Sequence, residues 1–344
     1  MTPRSFTLPI WIATLCAALT LVVPAGHAAG NGRAYISNFS SGTVSVVDTA
    51  SQAVLATVPV GAGAMGVAVS PDGTEVYVTN MLANSVSVIR TATNSVTSTI
   101  SVGGQPHAVA FTPDGMYAYV TNSDGSTISM IETGPAPCVV ATIPFSQYAG
   151  PLGITISPSG NTAYVTNYGN STVSYFATYQ LYPTVTTINS SQFNQPFGVA
   201  FTSNGAKVYV SNYGGTTLSV INAATGALCT TSTCSSSGTY PITVGSAPRG
   251  IAMIPGGSKA YAANFLGNTV VGISTLTDTA QAGDVVALGS NTNPVGVAIT
   301  PDGSKVFVAN DNANTVTVIT TSNDHILTTI PVGANPMAFG AFTH

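Results

Sequence analysis

From Asn31 to its end the chain alternates short apolar runs of four to six residues, rich in Val, Ile, Ala and Tyr, with Gly, Pro, Asn and Asp. Runs of that length predict β-strands joined by tight turns: β-branched and aromatic side chains suit a pleated surface, and the flanking residues tolerate turn backbone. One stretch displays the unit, with Ala108 to Thr112 predicting a strand A, Tyr117 to Asn122 a strand B, Thr127 to Ile131 a strand C and Cys138 to Ile143 a strand D. Four such strands in antiparallel succession make one blade-sized sheet.

The unit recurs. An aromatic residue stands three places before an asparagine at Tyr35/Asn38, Tyr77/Asn80, Tyr119/Asn122, Tyr164/Asn167, Tyr209/Asn212, Tyr261/Asn264 and Phe307/Asn310. The period of about 42 to 52 residues is that of a propeller blade and too long for a leucine-rich or ankyrin unit. The A–B turns, such as Pro71-Asp72-Gly73, Pro113-Asp114-Gly115 and Pro301-Asp302-Gly303, put glycine last, where a tight hairpin needs a positive φ. Their aspartates are therefore read as turn formers and not as a catalytic carboxylate set. Strand A opens on Pro-x-small, as in Pro106-His107-Ala108 and Pro248-Arg249-Gly250, and the small residue lets inner strands crowd around an axis. The chain ends on such a strand (Pro336 to Thr343) and begins at Asn31-Gly32, in the place of an A–B turn. The predicted fold is all-β: a seven-bladed β-propeller of four-stranded antiparallel blades over residues 30–344, its ring closed by the C-terminal strand A joining N-terminal strands B to D. Closure removes the free sheet edges of a linear array.

Residues 1–29 are expected to be a secretory signal peptide. Arg4 is followed by the apolar stretch Phe6 to Val23, then Pro24 and small residues up to Gly30, with cleavage expected after Ala28 or Ala29. An uncleaved anchor is the competing reading, since about 18 apolar residues can just span a bilayer; Pro9 and the small residues favour cleavage. The expected location is exported: periplasmic, cell-surface or extracellular. Charged residues make up only 5% of the chain, so hydroxyls and amides solvate the surface. After Arg4 the basic residues are Arg33, Arg90, Lys207, Arg249, Lys259 and Lys305, against 11 acidic ones. They form no basic stripe, which argues against nucleic acid and anionic membranes as partners.

Cys229 and Cys234 are spaced to close a small disulfide loop, stabilising by about 2 kcal/mol at most, with Cys138 outside the pair. No CxxC or Cys/His cluster signals a metal, and there is no GxGxxG strand-to-helix unit, no CxxCH and no Gly-x-Ser-x-Gly elbow, so no cofactor is called for.

These residues resemble the YVTN-repeat β-propeller family, spelled out at Tyr77-Val78-Thr79-Asn80, Tyr119-Val120-Thr121-Asn122 and Tyr164-Val165-Thr166-Asn167 and supported by the flanking Ser-Pro-Asp-Gly and Asn-Ser-Val-Ser-Val-Ile patterns. The resemblance covers about Asn31 to Thr343. It implies an exported propeller of a kind mostly without an assigned activity, with lactonases and streptogramin lyases as looser relatives. Departures come late: Ala262-Ala263 and Val308-Ala309 replace Val-Thr, and insertions at 223–240 and 274–285 are expected in C–D connections at the rim.

In a propeller the D–A and B–C connections share one face around the channel. The residues after the strand-A prolines (Met65, His107, Leu152, Phe197, Arg249, Val295, Met337) and after the strand-B asparagines (Phe39, Met81, Ser123, Tyr168, Tyr213, Phe265, Asp311) should therefore meet there. The ligand-binding candidates are His107, Arg249, Phe197, Tyr168, Tyr213, Phe265 and Asp311. His107 and Arg249 are also the catalytic candidates, an imidazole that titrates near neutrality beside an anion clamp. The strand-B asparagines are expected to be structural, bonding to turn backbone. The expected function is an exported binding or scaffold protein, monomeric, presenting its channel face or rim to a protein partner, an envelope component or a small ligand. The alternative is a propeller-type lactonase or lyase at the channel mouth.

Overall fold

The computed structural model describes residues 32–234 and 238–344; the expected signal peptide lies outside them. Seven antiparallel sheets form the ring, numbered here as blades I to VII in chain order. Blade III is typical, with strands Pro106–Phe111, Tyr117–Asn122, Thr127–Glu132 and Cys138–Pro144 in the order A-B-C-D. Blades stack face to face, so strands B and C are buried on both faces and carry almost continuous apolar or small residues, while strand D at the rim is largely exposed. The fully buried aromatic residues Tyr35, Tyr77, Tyr119, Tyr164, Tyr209, Tyr261 and Phe307 are the repeat tyrosines and their phenylalanine variant, one per blade.

Blade I has three strands, Arg33–Asn38, Thr43–Asp48 and Val54–Pro59; its fourth place is filled by the C-terminus. Tyr35 N–H donates to the Phe342 carbonyl at 2.8 Å and His344 N–H to the Arg33 carbonyl at 2.8 Å. The other edge of the same segment accepts from blade II, Val67 N–H to the Phe339 carbonyl at 3.1 Å and Val69 N–H to the Ala341 carbonyl at 3.0 Å. The closing strand is thus bonded on both sides.

In blades III to VII the strand-A proline, and in blade II Ala64, pairs with the strand-B asparagine, and a register shift follows, so that x-small forms a bulge. A hydroxyl just before the asparagine spans this bulge. Thr166 Oγ1 accepts from Gly153 N–H at 2.8 Å in its own blade and donates to the Phe197 carbonyl of the next at 2.7 Å. Ser37, Thr79, Thr121 and Ser211 make the same two contacts, the second to the carbonyls of Met65, His107, Leu152 and Arg249. The small residue is required: a Cβ on Gly198 would lie 2.1 Å from the Arg249 carbonyl oxygen. Ala263 and Ala309 carry no hydroxyl, so the seams on either side of blade VII lack this clamp.

The asparagines are structural, and their bonds reach strand C as well as the turn backbone expected. Asn122 Nδ2 donates to Thr127 Oγ1 at 3.1 Å and Ser129 Oγ at 2.9 Å, both on strand C, and the other blades repeat the first contact. Turn backbone is bonded as well in three blades: Asn80 Oδ1 accepts from Gly61 N–H at 3.0 Å, Asn212 Oδ1 accepts from Asn194 N–H at 3.2 Å, and Asn264 Nδ2 donates to the Val244 carbonyl at 3.2 Å.

Of the two insertions, 223–240 does lie between strands C and D, Thr217–Asn222 and Ile242–Thr243, and carries the Cys229–Cys234 disulfide with Cα atoms 5.3 Å apart. Most of 274–285 does not form a connection. It is built into strand D, Thr279–Ala287, in which Val285 pairs with Val271 and Ala280 with Ile273. Residues 281–284 stand opposite Gly272 alone, so the extra length is taken up as a bulge within the strand.

Candidate functional site

The residue before each strand-A proline adopts a left-handed backbone, among them Gln105 (φ 51), Gln195 (φ 48), Ala247 (φ 54), Asn293 (φ 48) and Asn335 (φ 52). Their carbonyls thereby turn to meet the B–C connections: Tyr213 N–H donates to Gln195 at 3.2 Å, Phe265 to Ala247 at 3.0 Å and Asp311 to Asn293 at 3.1 Å. The two sets of residues expected on this face are held side by side by these bonds.

His107, Phe197 and Phe339 form a triangle of rings. His107 meets Phe197 edge-on at 5.3 Å and Phe339 at 5.5 Å, and Phe197 meets Phe339 at 5.2 Å. All three are buried and plug the channel. His107 is 3% exposed and its Nδ1 has no partner among the described residues. Burial, with the charge of Arg249 beside it, pushes its pKa down to about 3, so the ring is neutral at ordinary pH. This places His107 within the plug. On the far side of Phe339 lies a cavity of about 420 Å³ lined by strand-A residues such as Val109, Ile154, Val199 and Val297.

Above the plug the guanidinium of Arg249 is framed by aromatic rings: its carbon lies 3.6 Å from the Phe265 centroid, 4.8 Å from that of Tyr213 and 5.1 Å from that of Phe197. Tyr168 continues the arc at 6.2 Å from Tyr213. Burial pulls the Arg249 pKa below its ordinary value, opposed by the Tyr213 hydroxyl, Asp311 and Tyr168. Its Nε is buried without a partner, and among the described residues no carboxylate forms an ion pair with it. Asp311 stands nearby and accepts from Asn335 Nδ2 at 3.0 Å. Such a centre can hold an anion by its guanidinium edge and a planar or apolar group against its rings. Among the described residues no group of three His, Cys, Asp or Glu side chains is placed to hold a metal ion.

All seven candidate residues named from the sequence therefore fall in one neighbourhood, with His107 and Phe197 buried inside it and Tyr168, Tyr213, Phe265, Arg249 and Asp311 only partly buried. Phe339 was missed. A signal existed: the position after the small residue holds Val67, Val109, Ile154, Val199, Ile251 and Val297 in the other copies, and an aromatic only here.

The model of a family described as lactonase, 7-bladed beta-propeller, matches residues 30–141. No curated protein matches the chain in sequence. Among solved structures, Kuenenia stuttgartiensis hydrazine synthase is similar over 84% of this chain and 92% of its own, with a TM-score of 0.72 and 26% identity. A putative 6-phosphogluconolactonase from Bacteroides uniformis is similar over 92% of this chain and 99% of its own, at a TM-score of 0.69 and 16% identity. Virginiamycin B lyase from Staphylococcus aureus is similar over 78% and 84%, at 0.63 and 15%. The last two likenesses carry the propeller fold.

Proposed function

We propose that this protein is an exported ligand-binding propeller that seats a small carboxylate-bearing molecule on Arg249, at the face formed by the D–A and B–C connections. The observation that carries the reading is the state of that guanidinium: ring-framed, largely removed from water, with an unpartnered Nε and, among the described residues, no carboxylate in ion-pair contact, Asp311 acting on it only from nearby. A buried cation left so is costly, and a bound carboxylate would offset that cost by a charge-assisted, forked hydrogen bond. Tyr213, Phe265 and Tyr168 would supply contact area for the rest of the ligand. Export rests on Arg4 and the apolar run behind it, and N-terminal sequencing of protein from the envelope or medium would test it.

The second reading, a lactonase or lyase, is favoured by the family match over residues 30–141 and by the lactonase and lyase structures of like fold. In it Arg249 would hold the carboxylate released when a lactone opens, and Asp311 would be the nearby base. One experiment separates the two. Calorimetry with gluconate, glucuronate and benzoate, alongside proton release from the matching lactones, is expected to show carboxylate binding that falls at least tenfold in Arg249→Met, with no lactone turnover. Absence of binding to every acid would overturn the proposal. Lactone turnover lost in Asp311→Asn would replace it with the enzyme reading.

A further inference from the structure

The opposite face carries a second pattern. In four seams the first residue of strand B is a cation that reaches across to the next blade. Arg33 donates to the Thr91 carbonyl at 2.5 Å, Lys207 to the Thr275 carbonyl at 3.1 Å and Asp278 at 2.6 Å, Lys259 to Asp324 at 2.6 Å, and Lys305 to the Thr49 carbonyl at 2.7 Å. Thr49, Thr91 and Thr275 each open the C–D connection of the receiving blade.

In blade II the first residue of strand B is Glu75. Across the seam, blade III presents Thr133 in the place of Thr275: its N–H bonds to Met116 as that of Thr275 bonds to Ser258, and its hydroxyl to Gly115 as that of Thr275 to Gly257. Two acceptors thus face each other where other seams pair a donor with an acceptor. The seam stands open there as a cleft of about 600 Å³, lined by Asp72, Glu75 and Arg90 of blade II and Phe111, Asp114 and Thr133 of blade III.

A second observation comes from the tyrosine two places beyond the cation. Tyr209 and Tyr261 donate to the same Asp278 and Asp324 that receive the lysines, so in this frame the hydroxyl points across the seam at the next C–D turn. In blade III that turn is Thr133-Gly134-Pro135, which carries no acid. Tyr77, packed edge-on against the cleft residue Phe111 at 4.8 Å, is fully buried, and its hydroxyl has no partner among the described residues. Around it Asp72 and Asp114 stay ionised: burial raises each carboxyl, but bonds from Ser70 and Thr74, and from Thr112, Met116 and Tyr179, outweigh that and hold both below the usual range. Three carboxylates against Arg90 leave the cleft negative.

We propose that the cleft between blades II and III binds a primary ammonium group on an alkyl stem, seated where Lys207 sits between blades V and VI, with Glu75 as its counter-ion and the Thr133 carbonyl as its second acceptor. The stem would lie along Phe111. The site lies apart from Arg249 and does not depend on the reading of that face.

Calorimetry and thermal melting of the full-length protein at low salt test it, with cadaverine as a free amine and Nα-acetyl-lysine methylamide as a lysine side chain in peptide form. At least one probe is expected to bind and raise Tm, and which one does identifies the source of the ammonium group. Glu75→Gln should weaken binding at least tenfold, and Arg90→Gln, which removes the competing cation, should tighten it. Glu75→Lys supplies the missing cation within the chain, so it should abolish binding while raising the ligand-free Tm; Arg249→Met should leave amine binding unchanged. The proposal is overturned if neither probe binds, if Glu75→Gln binds as well as the wild type, or if Glu75→Lys still binds or melts lower.

Discussion

The half of the ring from blade II to blade V and the half that runs through blade VII are fastened in different ways. From II to V the seams are held near the channel by the Thr79, Thr121 and Thr166 hydroxyls, and among the described residues no cation crosses outside. Around blade VII that hydroxyl is missing and Lys259 and Lys305 cross at the opposite face instead. The seams I/II and V/VI use both devices. The hydroxyl grips the carbonyl of the residue after the strand-A proline, and the gripped residues include His107, Phe197 and Arg249, whereas the ungripped ones are Val295 and Met337. Met65 and Leu152 are gripped too, so every residue of the ring cluster and arginine centre that follows the strand-A start is fastened close to the axis, while Val295 and Met337 are not.

The comparison can be broken from either side. The largest effect is expected at Asp278, which receives Lys207 and the hydroxyls of Tyr209 and Tyr240 while its side chain is fully buried. Asp278→Ala should lower unfolding free energy by about 3 kcal/mol or more, read by urea denaturation, because it strands a cation and two hydroxyls. A loss near zero would mean that cations do not fasten this half.

Next comes the acid sensitivity of the hydroxyl-gripped side. The folded pKa of His107 lies below its ordinary value of 6.5, at about 3, so between those values the unfolded chain binds a proton that the folded chain refuses. Stability should therefore be complete above pH 6.5 and fall as pH drops, by about 2 to 3 kcal/mol at pH 4.5. His107→Phe should flatten that part of the stability curve.

Thr166→Val keeps the shape but removes both bonds of one clamp, leaving the Gly153 N–H and Phe197 carbonyl unpaired, at a cost of about 2 kcal/mol. The smallest effect is the converse one: Ala309→Ser offers blade VII the missing hydroxyl and should stabilise by about 1 kcal/mol. A gain there together with no loss in Thr166→Val would reverse the assignment of the two halves.

The ring itself was legible because its turns, its Pro-x-small openings and its split first blade each recur in the chain, and the strand B predicted as Tyr117 to Asn122 matches the one observed. The neighbourhood of the candidate site was legible for the same reason: a position in the repeat is a position around the axis. What escaped was direction and depth. His107 reads as a titrating residue at a channel mouth, yet the bulge turns it into the ring cluster with Phe197, where no water reaches it. The role of the hydroxyl residue before the asparagine also escaped, because its second partner belongs to the next blade, 28 to 38 residues onward. The cations showed only as a low count until their partners across the seams were known.

The closing strand has a consequence in time. Residues 336–344 are synthesised after the blades they join, so until they arrive the ring has an unpaired edge on Arg33–Asn38 and another on the blade II strand Ala64–Val69. The same segment brings Phe339 between His107 and Phe197. Sealing the ring and stoppering its channel are therefore one event, and a chain truncated before Pro336 would be not a slightly weaker propeller but an open arc with a hollow axis.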